Sequence, residues 1–168
     1  MFSTQKINGS AVLSFSFLVF TFLFISNAFS GPIPPADFKI TATAGGVSPW
    51  SSGSRVEIDA QGHGIYYTFS ADDSGNGGFK KADEFTIDPI SLKAIYGAVA
   101  QSNFFNLNKE YIKKDVLDGS YAEITVSLHG KTYTVHTQNI EVQAFDDINI
   151  AINLATPKND KIQYNAIL

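Results

Sequence analysis

The sequence of 168 residues contains no cysteine. A chain without cysteine forms no disulfide, offers no thiolate nucleophile and lacks the ligands of zinc ribbons and iron–sulfur clusters. We therefore predict a fold that is held together by an ordinary apolar core. The length suits one globular domain, because single domains usually contain about 100–150 residues.

Basic residues are scarce once the first thirty residues are set aside. Residues 1–30 contain one lysine, Lys6, and no acidic residue, so residues 31–168 carry 11 basic and 16 acidic side chains, a net charge of −5. Nucleic-acid binding requires a concentrated positive field at the phosphates. A nucleic acid is therefore not expected as a partner.

Familiar catalytic signatures are missing as well. The sequence has no G-x-S-x-G, no H-E-x-x-H and no glycine-rich nucleotide loop. Its three histidines are the only side chains suited to base catalysis near neutral pH: His63 and His129 fall in predicted turns, and His136 falls on the outward side of a strand. We predict that the protein is not an enzyme, with a small hydrolase that uses an unrecognised site as an alternative.

The amino-terminal segment has the pattern of a secretory signal peptide. Residues 11–25 are uncharged, Lys6 precedes them, and the small residues Ala28 and Ser30 precede Gly31. Fifteen helical residues span about 22 Å, which is less than the ~30 Å hydrocarbon core of a membrane. We predict that residues 1–30 are removed on export to a periplasm or the outside of the cell, leaving no membrane span. Cleavage after Ala28 and an uncleaved anchor are the alternatives.

The hydrophobic pattern of the remaining chain predicts an α+β domain. Residues 31–36 form a proline-rich leader, residues 37–157 the domain and residues 158–168 a carboxyl-terminal tail. Alternating apolar residues predict strands over 37–44, 55–60, 65–69 and 122–128, followed by a His129-Gly130 turn and a return strand that contains Tyr133, Val135 and His136. A short extended piece, Glu84 to Ile87, precedes the first helix. Helical spacing predicts helices over 89–102, capped by Asp88, and over about 142–152. The order βββαββα predicts a mainly antiparallel sheet with both helices packed on one face.

The predicted loop of residues 72–82, together with Asp83, matches the twelve-residue register of a calcium-binding loop. Oxygen ligands fall at its first, third, fifth and twelfth places, and Gly77 falls at the sixth. The candidate ligands are Asp72, Ser74, Asn76 and Asp83. The alternative is a solvated hairpin loop whose residues merely suit turns. No other cofactor is predicted.

The loop predicted from Gly45 to Gly53 is the candidate partner-binding surface. It contains the only tryptophan, Trp50, and the candidate contact residues are Gly45, Gly46 and Trp50. A large aromatic side chain in a glycine-rich loop buries much area on binding at little entropic cost. Tyr66 either extends this surface or forms a cross-strand packing pair. The alternative is that Trp50 folds back onto the edge of the sheet.

The order of several short motifs resembles a known group of proteins. These motifs are Gly45-Gly46, the run Val56–Gly62, Phe104-Phe105-x-Leu107, Asp118-Gly119, the run Gly130–Val135 and a closing helix with Phe145. Over residues 37–155 the chain is similar to small exported bacterial domains of unknown function and, more distantly, to emfourin, a protein inhibitor of thermolysin-type metalloproteases. The resemblance implies a non-enzymatic inhibitor that presents loops to a protease cleft, with Gly45-Gly46 as a contact.

Together these features predict an exported, non-enzymatic binding protein. The expected partner is another protein, with a secreted protease as the sharpest form of that hypothesis. A calcium-dependent binding module is the main alternative. The sequence does not set the oligomeric state.

Overall fold

The computed structural model describes residues 31–47, 52–71, 77–116 and 119–162, which form a mixed α+β fold. The predicted α+β class is therefore confirmed. Several residues that the sequence analysis named lie outside the described part of the chain: residues 1–30, Trp50, Asp72, Ser74 and Asn76.

Within the described residues, seven strands form one sheet, two more than the sequence predicts. The strands are β1 (Lys39–Gly46), β2 (Gly53–Asp59), β3 (His63–Ala71), β4 (Gly77–Thr86), β5 (Glu110–Ile112), β6 (Ser120–Leu128) and β7 (Lys131–Gln138). Their order across the sheet is β4-β3-β2-β1-β6-β7-β5. All neighbours are antiparallel except β5 and β7, which run parallel.

Strand β4 corrects the predicted loop over residues 72–82. The strand starts at Gly77 and pairs with β3 through to Thr86, and one register shift beside Tyr66 and Tyr67 leaves Ala82 as an extra residue. Most of its side chains are exposed because β4 is the outer strand of the sheet. A strand that is exposed on both faces keeps no apolar alternation, so the pattern could not reveal it.

Strand β5 lies in residues 108–119, where the hydrophobic pattern predicts neither a strand nor a helix. Its three residues pair with β7, with Glu110 opposite His136 and Ile112 opposite Gln138. Three residues are too few to show a period of two. The strand widens the sheet on the side away from β4.

The two helices lie close to their predicted bounds. Helix α1 runs from Pro89 to Gln101, and Asp88 caps it by accepting hydrogen bonds from the amides of Ile90 and Ser91 at 2.8 and 3.0 Å. Helix α2 spans Gln143–Ala155 and packs against α1. None of the helices in the described part of the chain is long and apolar enough to cross a membrane.

The core lies between one face of the sheet and the two helices. The inward side chains of β1, β2, β6 and β7 and the buried faces of both helices form one cluster: Ile40, Ala42, Val56, Ile58, Leu92, Ile95, Val99, Ile124, Val126, Val135, Phe145, Ile148 and Ile152, among others. The side chains on the opposite face of the sheet are mostly half-exposed. We call this second face, within the described residues, the open face.

The packed structure continues past α2 to Ile162. Residues Lys158–Asp160 form a 3₁₀ turn, and Ile162 is buried in the core. The side-chain amide of Asn153 donates to the carbonyl oxygen of Ile162 at 3.0 Å and accepts from its amide at 2.9 Å. The start of the predicted tail therefore packs against the domain.

The tight turn between β6 and β7 is confirmed. His129 and Gly130 have φ of 51° and 69°, the pair of positive values that a two-residue type I′ hairpin requires. Glycine adopts a positive φ without strain, and histidine tolerates it better than most residues.

Candidate functional site

The candidate contact residues Gly45 and Gly46 lie in β1 and not in a loop, which corrects the predicted loop from Gly45 to Gly53. Gly45 pairs with Gly53 on one side and with Tyr121 on the other, and Gly46 pairs with Ser120. Glycine clusters usually mark loops, and here they mark a place where side chains approach the backbone closely. Trp50, the third candidate, lies outside the described residues.

The paired glycines make room for the ring of Tyr121. A Cβ atom on Gly45 would lie 3.2 Å from Cε1 of Tyr121 and 3.3 Å from the Cα of Gly53. A Cβ atom on Gly53 would lie 3.1 Å from the carbonyl oxygen of Ala44. Gly45 and Gly53 therefore form a flat floor in the middle of the sheet, and the tyrosine ring lies across part of it.

Tyr121 belongs to a stack on one side of this floor. Its ring lies 5.8 Å from that of His136 at an interplanar angle of 19°, and Nδ1 of His136 lies 3.9 Å from Oε2 of Glu123. Partial burial, followed by the negative charge of Glu123, raises the pKa of the Tyr121 hydroxyl, and Arg55 opposes this shift. The tyrosine is therefore neutral at physiological pH and keeps its hydroxyl as a hydrogen-bond donor.

A second aromatic group lies on the other side of the floor. The guanidinium of Arg55 lies over the ring of Phe79 at 4.0 Å, and its Nε–H donates to Oγ1 of Thr43 at 3.3 Å. The rings of Phe69 and Phe79 meet edge to face at 5.4 Å. This cation–π contact holds the arginine flat against the sheet, with part of its donor group still exposed.

These two groups and the floor form one surface, which we call the aromatic face. It consists of Arg55, Phe69, Phe79, Tyr121 and His136 around the floor of Gly45 and Gly53. Phe69, Phe79 and Tyr121 were not among the candidate residues predicted from the sequence. The alternation in β6 places Tyr121 outward with Glu123, which was a usable signal, whereas Phe79 fell inside a predicted loop.

Tyr66 does not belong to the aromatic face, which agrees with the alternative of a cross-strand packing pair. It pairs with Val56, whose side chain is buried, and it packs against the core. Side chains of directly paired residues share one face of a sheet, so Tyr66 points to the helix side.

The three histidines are not brought together. His63 lies beside Asp59, with Nδ1 and Oδ2 3.9 Å apart, and it belongs to β3, three strands away from the β6–β7 turn that contains His129. Three strand spacings correspond to roughly 14 Å. Within the described ranges, no group of three or more histidine or acidic side chains is arranged to hold a metal ion.

The fourth candidate calcium ligand, Asp83, lies in β4 opposite Tyr66. It is six residues beyond Gly77, where the hairpin loop ends, and this corresponds to about 20 Å along an extended strand. A calcium loop must fold all its ligands around one ion within 2.3–2.6 Å. The other three candidate ligands lie outside the described residues, so the calcium site stays a prediction.

Asp83 instead has an acidic neighbour at the carboxyl end of the described chain. Asp160 is 5% exposed, and its Oδ2 is buried with no hydrogen-bond partner. Burial and the nearby carboxylate of Asp83 raise the pKa of Asp160. Two adjacent carboxyl groups can share one proton. Among the described residues they have no third histidine or acidic side chain beside them that would complete a metal site.

Comparison with known proteins gives no family for this chain. No family model and no curated protein matches the sequence. The resemblance to emfourin-type inhibitors therefore stays a prediction.

Proposed function

We propose that the chain is an exported, non-enzymatic binding protein that contacts another protein through the aromatic face. The observation that carries the proposal is a sheet face that no described helix covers and that presents half-exposed aromatic rings beside a flat glycine floor. Aromatic and arginine side chains supply most of the binding energy of protein interfaces.

The composition of the open face supports a protein partner. It combines the chain's single arginine, Arg55, with several aromatic rings and a row of threonines, and arginine and aromatic residues are enriched in protein interfaces. Two pairs of hydroxyls, Thr125 with Thr134 and Ser127 with Thr132, are each 2.9 Å apart and supply polar contacts without charge.

The charges of the open face are balanced locally. Lys39 and Glu57 form an ion pair at 2.7 Å, Arg55 lies over an aromatic ring, and His136 lies near Glu123. A face without excess positive charge has little long-range attraction for phosphate backbones. A surface that binds through its shape and through burial of aromatic rings is better suited to a protein partner than to a nucleic acid.

The sharpest form of the proposal is inhibition of a thermolysin-type metalloprotease, and it rests on the resemblance described above. The test uses purified residues 31–168 and thermolysin with a small fluorogenic peptide. We expect inhibition that reaches completion near one molecule of inhibitor per enzyme, with the inhibitor uncleaved. Complete digestion without any slowing of peptide hydrolysis contradicts the inhibitor form.

Matched variants locate the contact. We expect Tyr121→Ala and Phe79→Ala to weaken inhibition by at least tenfold, the effect of losing an interface residue worth more than about 1.4 kcal/mol. The control is Leu154→Ala, which removes a 79%-exposed apolar side chain from α2 on the opposite layer. Circular dichroism and melting curves establish that each variant is folded. Inhibition that survives both face variants contradicts a contact at the aromatic face.

A second experiment tests protein binding apart from inhibition. A photo-crosslinking phenylalanine derivative replaces Phe79 in one preparation and Leu154 in another, and each is irradiated in an envelope extract. We expect a discrete protein adduct from position 79 that is absent from position 154 and is lost on adding excess unlabelled protein. Equal adducts from the two positions, or none from position 79, contradict the proposed surface.

A further inference from the structure

A polar cavity lies on the helix side of the sheet, where the ends of β1, β2 and β3 meet the 3₁₀ turn after α2. Its volume is about 430 Å³, within the range of small-molecule sites. The lining side chains that matter here are Ser54, Tyr66, Thr68, Lys158 and Lys161.

The two lysines bring positive charge to this cavity. Neither Lys158 nor Lys161 has a carboxylate oxygen within 4.0 Å in the part of the chain that the structure describes. Asp160, which lies between them in sequence, is buried and does not line the cavity. The two ammonium groups are therefore not neutralised by local ion pairs.

Hydroxyl donors line the opposite wall. Ser54, Tyr66 and Thr68 lie on two neighbouring strands, with Ser54 directly opposite Thr68 and Tyr66 next along the same strand face. Hydroxyl groups and ammonium groups together are the donors that bind oxyanions, because each hydrogen bond to a charged oxygen is stronger than a neutral one.

We propose that this cavity binds a small molecule that carries a phosphate or carboxylate group. Lys158 and Lys161 bind the charged oxygens, and the hydroxyls of Ser54 and Thr68 donate to the same group or to its neighbours. The site is distinct from the aromatic face, although the two share Phe69 and the glycine floor. The inference does not depend on the proposed protein partner.

The test follows backbone amide signals of residues 31–168 by NMR during titration at constant ionic strength. The probes are inorganic phosphate, glucose 6-phosphate and citrate, with glucose as the uncharged reference. We expect saturable shifts at the amides of Gly45, Gly53, Ser54 and Lys161 with at least one of the three anions and none with glucose. The relative affinities of the phosphates and citrate distinguish the two sources of the oxyanion. Shifts that do not saturate, or that spread evenly over the protein, overturn the proposal.

Matched double variants separate this site from general charge attraction. Lys158→Gln with Lys161→Gln should weaken binding at least tenfold. Lys113→Gln with Lys114→Gln changes the net charge equally at two exposed lysines near β5 and should leave the affinity within twofold of the unmodified protein. Equal losses in both double variants, or no loss in the first, overturn the assignment to this cavity.

Discussion

A buried carboxylate that lacks a hydrogen-bond donor destabilises a fold whenever it is charged. Asp160 is such a group, and Asp83 adds a second negative charge beside it. The raised pKa means that the folded protein holds this proton more tightly than the unfolded chain does. The stability that this proton contributes is complete below the usual pKa of 3.8 and is lost as the pH rises through the folded-state pKa.

We therefore predict that Asp160→Asn raises the melting temperature at pH 7. The amide removes the buried charge and can donate to Asp83, and the gain over the unmodified protein should shrink toward pH 3, where Asp160 is protonated. Thermal unfolding followed by circular dichroism at both pH values measures this. Asp115→Asn, at an exposed position, is the control with the same change of charge. A melting temperature that falls at pH 7 contradicts the prediction.

Gly64 is required by the ring of Phe85. A Cβ atom on Gly64 would lie 2.2–2.7 Å from three atoms of that ring, whereas a Cβ atom on Gly78 would meet nothing within 4 Å. We predict that Gly64→Ala lowers the free energy of unfolding by about 1–3 kcal/mol, the usual cost of overpacking. Gly78→Ala, in the neighbouring strand, should change it by less than about 1 kcal/mol. Urea denaturation of the two variants checks this, and equal stabilities would show that the clash is not present.

At the residue scale, the roles of two glycines could not be predicted from the sequence. In the sequence, Gly45 and Gly53 have the pattern of loop residues. In the structure, the absence of a side chain on Gly45 leaves space for the ring of Tyr121, which is 76 positions away from Gly45 in sequence. Only the register of β1 and β6 brings the two together. The Asp160–Asp83 contact likewise joins two segments that are far apart in sequence, so no local sequence pattern predicts it.

At the scale of elements, the start of α1 depends on Asp88. Its carboxylate accepts hydrogen bonds from the amides of Ile90 and Ser91 and from the hydroxyl of Ser91 at 2.6 Å. These bonds, that of the Ser91 hydroxyl first, lower the pKa of Asp88. The stability contributed by the cap is therefore present above the usual pKa of 3.8 and is lost as the pH falls through the folded-state pKa.

We predict that Asp88→Ala lowers the melting temperature at pH 7, and that the difference from the unmodified protein narrows in acid. Asp88→Asn keeps a side-chain oxygen that caps the helix and should stay close to the unmodified protein. Melting curves between pH 7 and pH 2 measure both effects. An asparagine variant as unstable as the alanine variant would show that the charge, and not the cap, is what matters.

Elements with one buried face could be predicted from the sequence, and elements without one could not. The alternation in β1, β2 and β6 and the stripe of apolar residues in α2 record burial on one side. Strand β4 is exposed along most of its length and β5 has three residues, so neither shows a usable period. Of the four candidate calcium ligands, the structure therefore places only Asp83, in the strand β4 that the pattern did not reveal.

At the scale of the whole molecule, the cellular location of the protein is still a prediction from the sequence. We expect that the full chain, expressed in a bacterium with a secretory pathway, is recovered outside the cytoplasm with Gly31 as its first residue. Intact-mass measurement of the purified protein determines the cleavage point. A chain that starts at Phe29 identifies the alternative site after Ala28, and an uncut chain in the membrane fraction supports the anchor.

The outer border of the sheet has a consequence for how molecules of this protein meet one another. Strand β4 is ten residues long and has no partner on its far side within the described residues, which is the geometry that lets sheets grow from one molecule into the next. The extra residue Ala82 breaks the regular spacing of its free amides, and Lys80 places a charge on this strand. Both features oppose the addition of a strand from a second molecule at this edge.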